Sequence, residues 1–429
     1  TEGYIDAMEF SAEARIPVFG DDFNIPLFRN LDLTPGVRFV KQDGAAPDVR
    51  LLNGSVLDQT STGDWNTIYS LAGTWRPIKP LLLRGNYTRS IRQPSVTDLF
   101  LGGQPAFTGV TDPCASANIG AGLVPATRRA NCQAAVIAAG LATDATSANA
   151  FLNSYVPSGA NISGTFSGSP GLSPERGESY TFGGVFEPRD LIPGLRIAAD
   201  YINVKVRDQI IPTTIVTALQ LCYDSPTFPD TSAQVGVNAC SFFNRIPSTA
   251  AERRFEVDNG FNSGFINLGT LQVKAINGTV EYGTDLSGLF GEGAGRFEFF
   301  GNVYHLMDYL SAPDGNLANA QQSAGTFARP EWELQLRGRY ENGGFFGQWT
   351  WNWQDATRVF SGGVPVAGTN DENELQDLIA NPAFGIHDAT IGYTFGDDER
   401  FRLQFTVRNV FDKLIAGPFE RVYGLNQGR

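Results

Sequence analysis

The feature that most constrains the fold is a strict alternation of apolar and polar residues in long segments. In residues 331–340 (EWELQLRGRY), charged and amide side chains occupy the odd positions, while Trp, Leu, Leu, Gly and Tyr occupy the even ones. Residues 348–354 (QWTWNWQ) and 401–410 (FRLQFTVRNV) share this period. Successive side chains of a β-strand point to opposite faces, so the pattern predicts strands with one apolar and one charged face.

About twelve such strands can be placed along the chain. We predict them near residues 4–16, 27–40, 64–76, 81–91, 177–187, 194–208, 264–285, 295–310, 330–341, 345–359, 384–394 and 401–411. The connections alternate between short turns and long loops, and the long ones lie near 41–63, 92–176, 209–263, 311–329 and 360–383. This alternation predicts an up-and-down antiparallel sheet with its long loops on one side. Changes of phase near Tyr201 and Ala275 predict a β-bulge at each position.

The charged face decides what kind of sheet this is. It carries both signs, at Glu9, Glu13, Arg15, Asp32, Arg38, Arg84, Asp200, Arg296, Glu298, Glu331, Arg337, Arg402 and Arg408. An apolar core does not accommodate so many ions, because each unpaired one costs several kcal/mol. A hydrated interior accommodates these ions, and the opposite, apolar face then contacts lipid. The fold class predicted is therefore an all-β transmembrane antiparallel barrel whose long loops face the cell exterior.

Composition excludes two other classes. No apolar run reaches the roughly 18–20 residues that a membrane helix needs. The net charge of −13, from 32 basic and 45 acidic residues, argues against nucleic acid as a partner, since neutralising phosphates requires a basic face.

Four cysteines lie in the two longest loops, at Cys114, Cys132, Cys222 and Cys240. Each pair is separated by 18 positions, which is not the short spacing of a zinc or redox motif. Two interpretations remain: a local disulfide within each pair, or free buried thiols. Loops outside the cell lie in an oxidising environment, which favours the disulfides.

Several aromatic and histidine residues share the phase of the apolar face. Trp332, Trp349, Trp351 and Trp353 are predicted to form a lipid-facing aromatic girdle, with sugar stacking as the alternative. His305 and His387 also have apolar neighbours in phase, and neither has a nucleophile placed beside it. The sequence therefore predicts no enzyme, no cofactor and no metal site.

Arginines at the outer strand ends and in the first long loop are the candidate ligand contacts. Arg92, Arg128 and Arg129 could bind an anionic ligand such as a ferric siderophore, because guanidinium groups suit carboxylates. The alternative is that they pair with the many acidic groups of the chain itself.

Six segments together resemble the C-terminal part of a TonB-dependent outer-membrane receptor. They are residues 9–18 (EFSAEARIPV), 28–39 (FRNLDLTPGVRF), 86–100 (NYTRSIRQPSVTDLF), 177–188 (GESYTFGGVFEP), 195–210 (LRIAADYINVKVRDQI) and 405–413 (FTVRNVFDK). The two loop cysteine pairs are similar to those of a subgroup common in alphaproteobacteria. The family's plug and its TonB box have no counterpart in the sequence.

The resemblance implies that residues 1–429 form the C-terminal part of a barrel of 22 strands, with the last strand missing. It further implies a bacterial outer-membrane receptor that imports a ferric siderophore, haem, cobalamin or an oligosaccharide. The partners implied are TonB, acting through a plug outside this sequence, the nutrient ligand and outer-membrane lipid; an accessory lipoprotein is also compatible. A passive porin, an outer-membrane hydrolase and a soluble β-rich binding protein are the alternatives.

Overall fold

The chain is described by a computed structural model, which covers residues 3–20, 27, 29–50, 56–122, 124–232, 238–312, 315–327, 329–358, 380–396 and 400–413. Its strands are β1 Tyr4–Glu13, β2 Ile16–Phe19, β3 Leu31–Ala45, β4 Val49–Arg50, β5 Val56–Leu57, β6 Thr60–Thr62, β7 Asn66–Ile78, β8 Leu81–Arg92, β9 Gln104–Thr108, β10 Ile162–Ser167, β11 Glu175–Phe186, β12 Leu195–Pro212, β13 Phe261–Asp285, β14 Arg296–Ala312, β15 Gln321–Gln322, β16 Trp332–Asn342, β17 Phe345–Gln354, β18 Thr357–Arg358, β19 Ala380–Asn381, β20 Phe384–Phe395 and β21 Phe401–Val407. The helices are α1 Val96–Phe100, α2 Pro125–Ala138, α3 Ala145–Ser154, α4 Ile215–Asp224 and α5 Ser287–Phe290, with 3₁₀ turns at Ala239–Phe242 and Leu317–Asn319.

Twelve long strands form one continuous antiparallel sheet, which we call the wall. The order is β1, β3, β7, β8, β11, β12, β13, β14, β16, β17, β20 and β21, and β2 extends the β1 edge along β3. Each wall strand pairs with the next wall strand along the chain, which confirms the up-and-down topology. Among the described residues no pairing joins β1 to β21, so this part of the chain is an open wall.

Of the two predicted bulges, one is confirmed and one is wrong. The register between β13 and β14 shifts at Lys274/Ala275, where β14 carries one extra residue, Met307. Near Tyr201, by contrast, β12 stays in register with both neighbours, and its irregularity comes later, between Val206 and Ile210.

At Tyr201 the register is unchanged, but the side chains on its face of the wall change from apolar to polar. Directly paired residues of antiparallel strands share a face, and Tyr201 pairs with Ile276. Towards the long loops the next positions on that face are Asn203 and Lys274, which also pair. Both strands therefore leave apolar surroundings at the same height. The phase change in the sequence reflects this change of solvent.

The two longest loops fold together into what we call the loop unit, residues 93–174 and 213–260. Its core is buried and apolar, and includes Cys114, Val136, Leu152, Leu219, Cys222 and Phe255, with Phe261 at the start of β13 packed against them. Thr214 caps the start of α4, and its hydroxyl accepts the Thr217 N–H at 3.1 Å. α2 begins with Pro125, as favoured at a first helical position. No described helix is long and apolar enough to cross a membrane.

The loop unit lies on the charged face of the wall. Phe100 of α1 is 3 % exposed and packs near Ile5 and Gly44, whose positions on β1 and β3 share the face of Glu9 and Arg38. The charged face is thus the covered one at the long-loop end. The predicted loop near 360–383 lies almost wholly outside the described residues.

Candidate functional site

The apolar face of the wall is a continuous exposed surface. Phe182 is 62 %, Leu403 71 % and Phe405 64 % exposed. Soluble monomers rarely expose apolar patches beyond a few hundred Å², and this one extends over twelve strands. A surface of this kind requires an apolar solvent, and hydrocarbon supplies one.

Aromatic side chains border this apolar band at both heights. At the long-loop end lie Tyr87, Tyr180, Tyr201 and Trp332; at the short-turn end lie Trp75, Phe186, Phe297, Tyr340 and Phe395. On β14, Phe297 and His305 are eight residues apart, which is roughly 27 Å along a strand. A tilted strand needs about this length to cross the apolar band of a membrane barrel.

The predicted tryptophan girdle lies on the apolar face. Trp332 and Trp349 are each 41 % exposed, and Trp351 and Trp353 occupy the same face, opposite Leu336 and Leu334. Their contact with lipid stays a prediction.

Both histidines lie on the apolar face too, where the sequence placed them. His305 stacks on Trp332 with ring centroids 3.9 Å apart. His387 stacks on Trp351, and its Nδ1 accepts a hydrogen bond from the Trp349 Nε1–H at 3.2 Å. Within the described residues, no group of three His, Cys, Asp or Glu side chains is arranged to hold a metal ion.

The charged face is a network of ion pairs between strands. Arg15 pairs with Asp32 at 2.7 Å, and Arg84 Nε donates to Asp200 Oδ1 at 2.7 Å. The latter pair spans the intervening strand β11 at Gly183, which is opposite both residues. A Cβ on Gly183 would lie 2.3 Å from Asp200 Oδ1, so glycine leaves the space through which the ion pair forms.

A polar cleft of about 740 Å³ opens on this face near the short turns. Its charged lining consists of five arginines and three glutamates: Arg189, Arg196, Arg296, Arg337, Arg339, Glu187, Glu281 and Glu298. Two aromatic rings orient the guanidinium planes beside it. Arg337 lies 5.0 Å from the Phe300 ring, and Arg339 and Arg402 lie 4.7 and 4.4 Å from the ring of Phe346. Such a surface is suited to polar or anionic groups in a hydrated interior.

The loop unit is joined internally by a buried ion pair. Arg245 donates to both oxygens of Asp112, at 2.7 and 2.9 Å, and the two side chains are 9 % and 2 % exposed. Tyr155 Oη donates to Asp112 at 2.9 Å, and Arg245 Nε donates to Tyr223 Oη at 2.7 Å. Arg245 also lies 4.1 Å from the Phe255 ring. The pair links the first long loop to the second.

These surroundings shift several pKa values. Burial alone would raise the pKa of Asp112, but the Arg245 charge and the hydrogen bonds outweigh it and hold that pKa below the ordinary value. Burial is also the main cause that raises the pKa of the Tyr155 and Tyr223 hydroxyls. Asp112 is therefore ionised and both tyrosines are neutral at physiological pH.

The three candidate ligand arginines all have partners within the chain. Arg92 forms a two-bond contact with Glu175, at 2.8 and 2.7 Å, and also reaches Asp98 at 3.2 Å. Arg128 is 4 % exposed and bonds both oxygens of Asp224, at 2.5 and 2.6 Å.

Arg129 donates to Asn149 and Asn153 of α3 at 3.3 and 3.2 Å. Arg128 and Arg129 thus tie α2 to α4 and α3, and Arg92 holds α1 near the wall. Ligand contact by these arginines stays a prediction.

The predicted disulfides are confirmed. Cys114 bonds Cys132 and Cys222 bonds Cys240, with Cα atoms 5.6 and 4.9 Å apart. Sequence reasoning did not find the Asp112–Arg245 pair. Its members are 133 positions apart, and no local pattern marks them.

Comparison with known proteins agrees with this geometry. The family described as "TonB dependent receptor-like, beta-barrel" matches residues 9–410. The siderophore receptor PirA from Acinetobacter baumannii shares 12 % identity at a TM-score of 0.50, over 96 % of this chain and 51 % of that one. The ferric enterobactin receptor PfeA, known from Pseudomonas aeruginosa, shares 12 % identity at a TM-score of 0.50, over 97 % of this chain and 52 % of that one.

This chain spans about half the length of those solved structures, and at such identity the likeness concerns the fold alone. No curated protein matches the sequence. Because the family match extends over nearly the whole wall, from β1 to the end of β21, the chain belongs to the TonB-dependent receptor β-barrel family, whose barrels lie in the bacterial outer membrane.

Proposed function

We propose that the chain is the barrel part of a receptor that imports a scarce nutrient across the outer membrane with energy supplied through TonB. The observation that carries the proposal is the combination of a charged, hydrated face with a folded loop unit over its outer end. A barrel used for free diffusion has no need of two disulfides and two buried ion pairs in its loops. Pre-ordered loops lose less entropy when they capture a ligand, and this favours specific binding.

A ferric siderophore is the substrate class to test first. Solved structures of the same fold include a siderophore receptor and a ferric enterobactin receptor. Their identity to this chain is too low to transfer a substrate, so haem, cobalamin and oligosaccharides are tested beside it. The charges of the polar cleft suit anionic groups such as the carboxylates of many iron chelators.

The experiment is uptake of radioactive iron by the bacterium that encodes this chain, grown under iron limitation. We expect that deleting the gene abolishes uptake of at least one ferric siderophore, that restoring the gene recovers it, and that deleting tonB abolishes it again. Labelled haem, cobalamin and oligosaccharides are compared in parallel.

Two results would favour the alternatives. A steady open conductance of the purified protein in a planar bilayer, with solute entry independent of TonB, would indicate a passive porin. A hydrolytic activity lost on His305→Ala or His387→Ala would indicate an outer-membrane enzyme; we expect no such activity, because both rings stack on tryptophans of the apolar face.

A further inference from the structure

Two arginines of the charged face have no acidic partner. Arg337 lies on β16 and Arg402 on β21, and both side chains are exposed. Within the residues that the structure describes, neither forms an ion pair. By register, the nearest carboxylate on the strands beside Arg337 is that of Glu298, and it accepts a hydrogen bond from Arg296 at 3.1 Å. The three candidate ligand arginines all have partners within the chain, so these two differ from them in a protein of net charge −13.

An aromatic ring holds the Arg337 side chain in place. Its guanidinium carbon lies 5.0 Å from the centre of the Phe300 ring, which is directly opposite on β14. A guanidinium group that rests its plane on a ring engages one face and leaves its N–H edges free. Those N–H groups are therefore available to an acceptor from outside the described chain.

A second ring, that of Phe346, gathers two more guanidinium groups. Arg339 and Arg402 lie 4.7 and 4.4 Å from its centre, and Phe346 is only 5 % exposed. A Cβ on Gly392, which is opposite Phe346 on β20, would lie 2.2 Å from a ring carbon, so the glycine leaves the space for this ring. Glu341 pairs with Arg339. The charge of Arg402 is left unneutralised, and an anion between the two arginines would relieve their repulsion.

The polar cleft of about 740 Å³ adjoins these arginines. Arg337 and Arg339 belong to its lining, in which five arginines accompany three glutamates. Its volume lies within the range of roughly 300–1,000 Å³ that small-molecule sites occupy. The cleft opens near the short turns, which in an outer-membrane barrel face the periplasm. It thus lies at the opposite end of the charged face from the loop unit.

We propose that Arg337, Arg339 and Arg402, which we call the arginine group, bind the carboxylates of an anionic nutrient as it leaves the barrel for the periplasm. The proposal rests on the import function proposed above and adds a second binding site to it. The loop unit captures the nutrient at the outer end, and the arginine group receives it at the inner end. Each guanidinium group offers two parallel N–H donors to a carboxylate. Exposed ion pairs are weak, so such a site releases its ligand readily, as an exit site must.

The first test measures anion binding at these side chains in the receptor, purified as its full natural polypeptide in detergent. Phenylglyoxal, a reagent that modifies guanidinium groups, is applied with and without citrate, and peptide mass spectrometry gives the rate of modification at each arginine. Citrate is the probe because it carries three carboxylates; its neutral trimethyl ester is the comparison, at equal ionic strength. The reference arginines are Arg176 and Arg207 on the outward face, whose side chains are 54 % and 51 % exposed.

At ten times its half-protecting concentration, citrate should slow the modification of the arginine group about tenfold by mass action. The ester should give no protection, and the reference arginines should react equally under all conditions. Arg337→Gln should raise the citrate concentration that half-protects Arg339 about tenfold, because a hydrogen bond to a charged group contributes roughly this factor.

Two results of this measurement would overturn the proposal. One is that citrate fails to protect Arg337 and Arg402. The other is that neither reacts with phenylglyoxal even without citrate, since a protein segment would then cover them. The measurement on the natural receptor needs no substitution, so it remains decisive if a variant does not fold.

The second test separates capture from exit. Cells that carry Arg337→Gln and Arg402→Gln should bind the ferric siderophore identified by the uptake experiment as tightly as the natural receptor does when energy is withheld. They should import it about tenfold more slowly. The matched control removes two cations from the outward face, through Arg176→Gln and Arg207→Gln, and should change neither binding nor import. Equal import by the variant and the natural receptor, or an equal loss of binding and import, would contradict an exit role.

The import function and the exit site fail separately in these experiments. If deleting the gene leaves uptake of every nutrient unchanged, the import function is wrong, whatever citrate does at the arginine group. If the natural receptor imports the nutrient but citrate protects neither Arg337 nor Arg402, only the exit site is wrong.

Discussion

Replacing Asp112 with asparagine removes one charge from the interior of the loop unit and changes almost nothing in volume. Arg245 would remain 9 % exposed, with its guanidinium opposite a neutral amide. Removing one partner of a buried ion pair costs about 3–5 kcal/mol. The Tyr223 hydroxyl and the Phe255 carbonyl still accept hydrogen bonds from Arg245. We therefore expect a loss of stability at the lower end of this range, about 3 kcal/mol.

The assay is amide hydrogen exchange of α2 and α4, whose opening requires the loop unit to separate. A loss of about 3 kcal/mol corresponds to roughly 150-fold faster exchange when exchange reports the opening equilibrium. The control is Arg189→Gln, a residue in the short turn between β11 and β12 whose side chain is 80 % exposed; it should leave exchange in both helices unchanged.

A double-mutant cycle separates the ion pair from mere loss of packing. Arg245→Met alone leaves the Asp112 carboxylate buried and should cost about as much as the first variant, whereas the double variant should cost less than the sum of the two. Two results would refute the view that this pair holds the two loops together. One is that Asp112→Asn accelerates exchange less than fivefold; the other is that the effects of the two substitutions are additive in the double variant.

Three further outcomes follow from the same structure. Folding lowers the pKa of Asp112. The ionised Asp112 therefore stabilises the folded loop unit fully above its unfolded pKa of about 3.9, and this stabilisation is lost as pH falls through the folded pKa. Amide exchange in α2, corrected for the intrinsic rate, should rise only below about pH 4, and this rise should be absent from the Asp112→Asn variant. Gly183→Ala should lower the thermal unfolding temperature, whereas Gly85→Ala, where a Cβ would meet its nearest atom at 3.7 Å, should lower it less. In urea titrations in lipid vesicles, Leu336→Arg on the apolar face should cost about 2–4 kcal/mol and Asn352→Arg on the charged face much less.

The wall could be predicted from the sequence because its two solvents differ so strongly. β14 was expected at 295–310 and spans Arg296–Ala312, since every second residue must suit either hydrocarbon or water. The same reasoning failed near Tyr201 because it assumed one solvent on each face along the whole strand. At the aromatic border the outward face becomes polar, so Asn203, which donates to the Tyr180 hydroxyl, and then Lys205 follow without any bulge.

The loop unit could be predicted only in part. The cysteine pairs were found because each is local, 18 positions apart. The contacts of Arg128 with Asp224 and of Arg245 with Asp112 join segments 96 and 133 positions apart, and periodicity carries no information about such partners. Short helices in polar loops are likewise stabilised by packing against one another more than by their own pattern.

The side of the wall that meets lipid is the claim on which the transport proposal depends, and one pair of labels tests it. Ile391 and Thr390 are neighbours in the middle of β20; Ile391 is 54 % exposed on the apolar face, and the Thr390 hydroxyl bonds that of Thr406 across the charged face. Single cysteines at these positions can be labelled selectively, because the native cysteines are disulfide-bonded. In vesicles, a fluorophore at 391 should be quenched by a lipid-borne quencher and shielded from an aqueous one, and a fluorophore at 390 should show the opposite response. If the label at 390 responds to the lipid quencher and the label at 391 to the aqueous one, the assignment of the two faces is wrong.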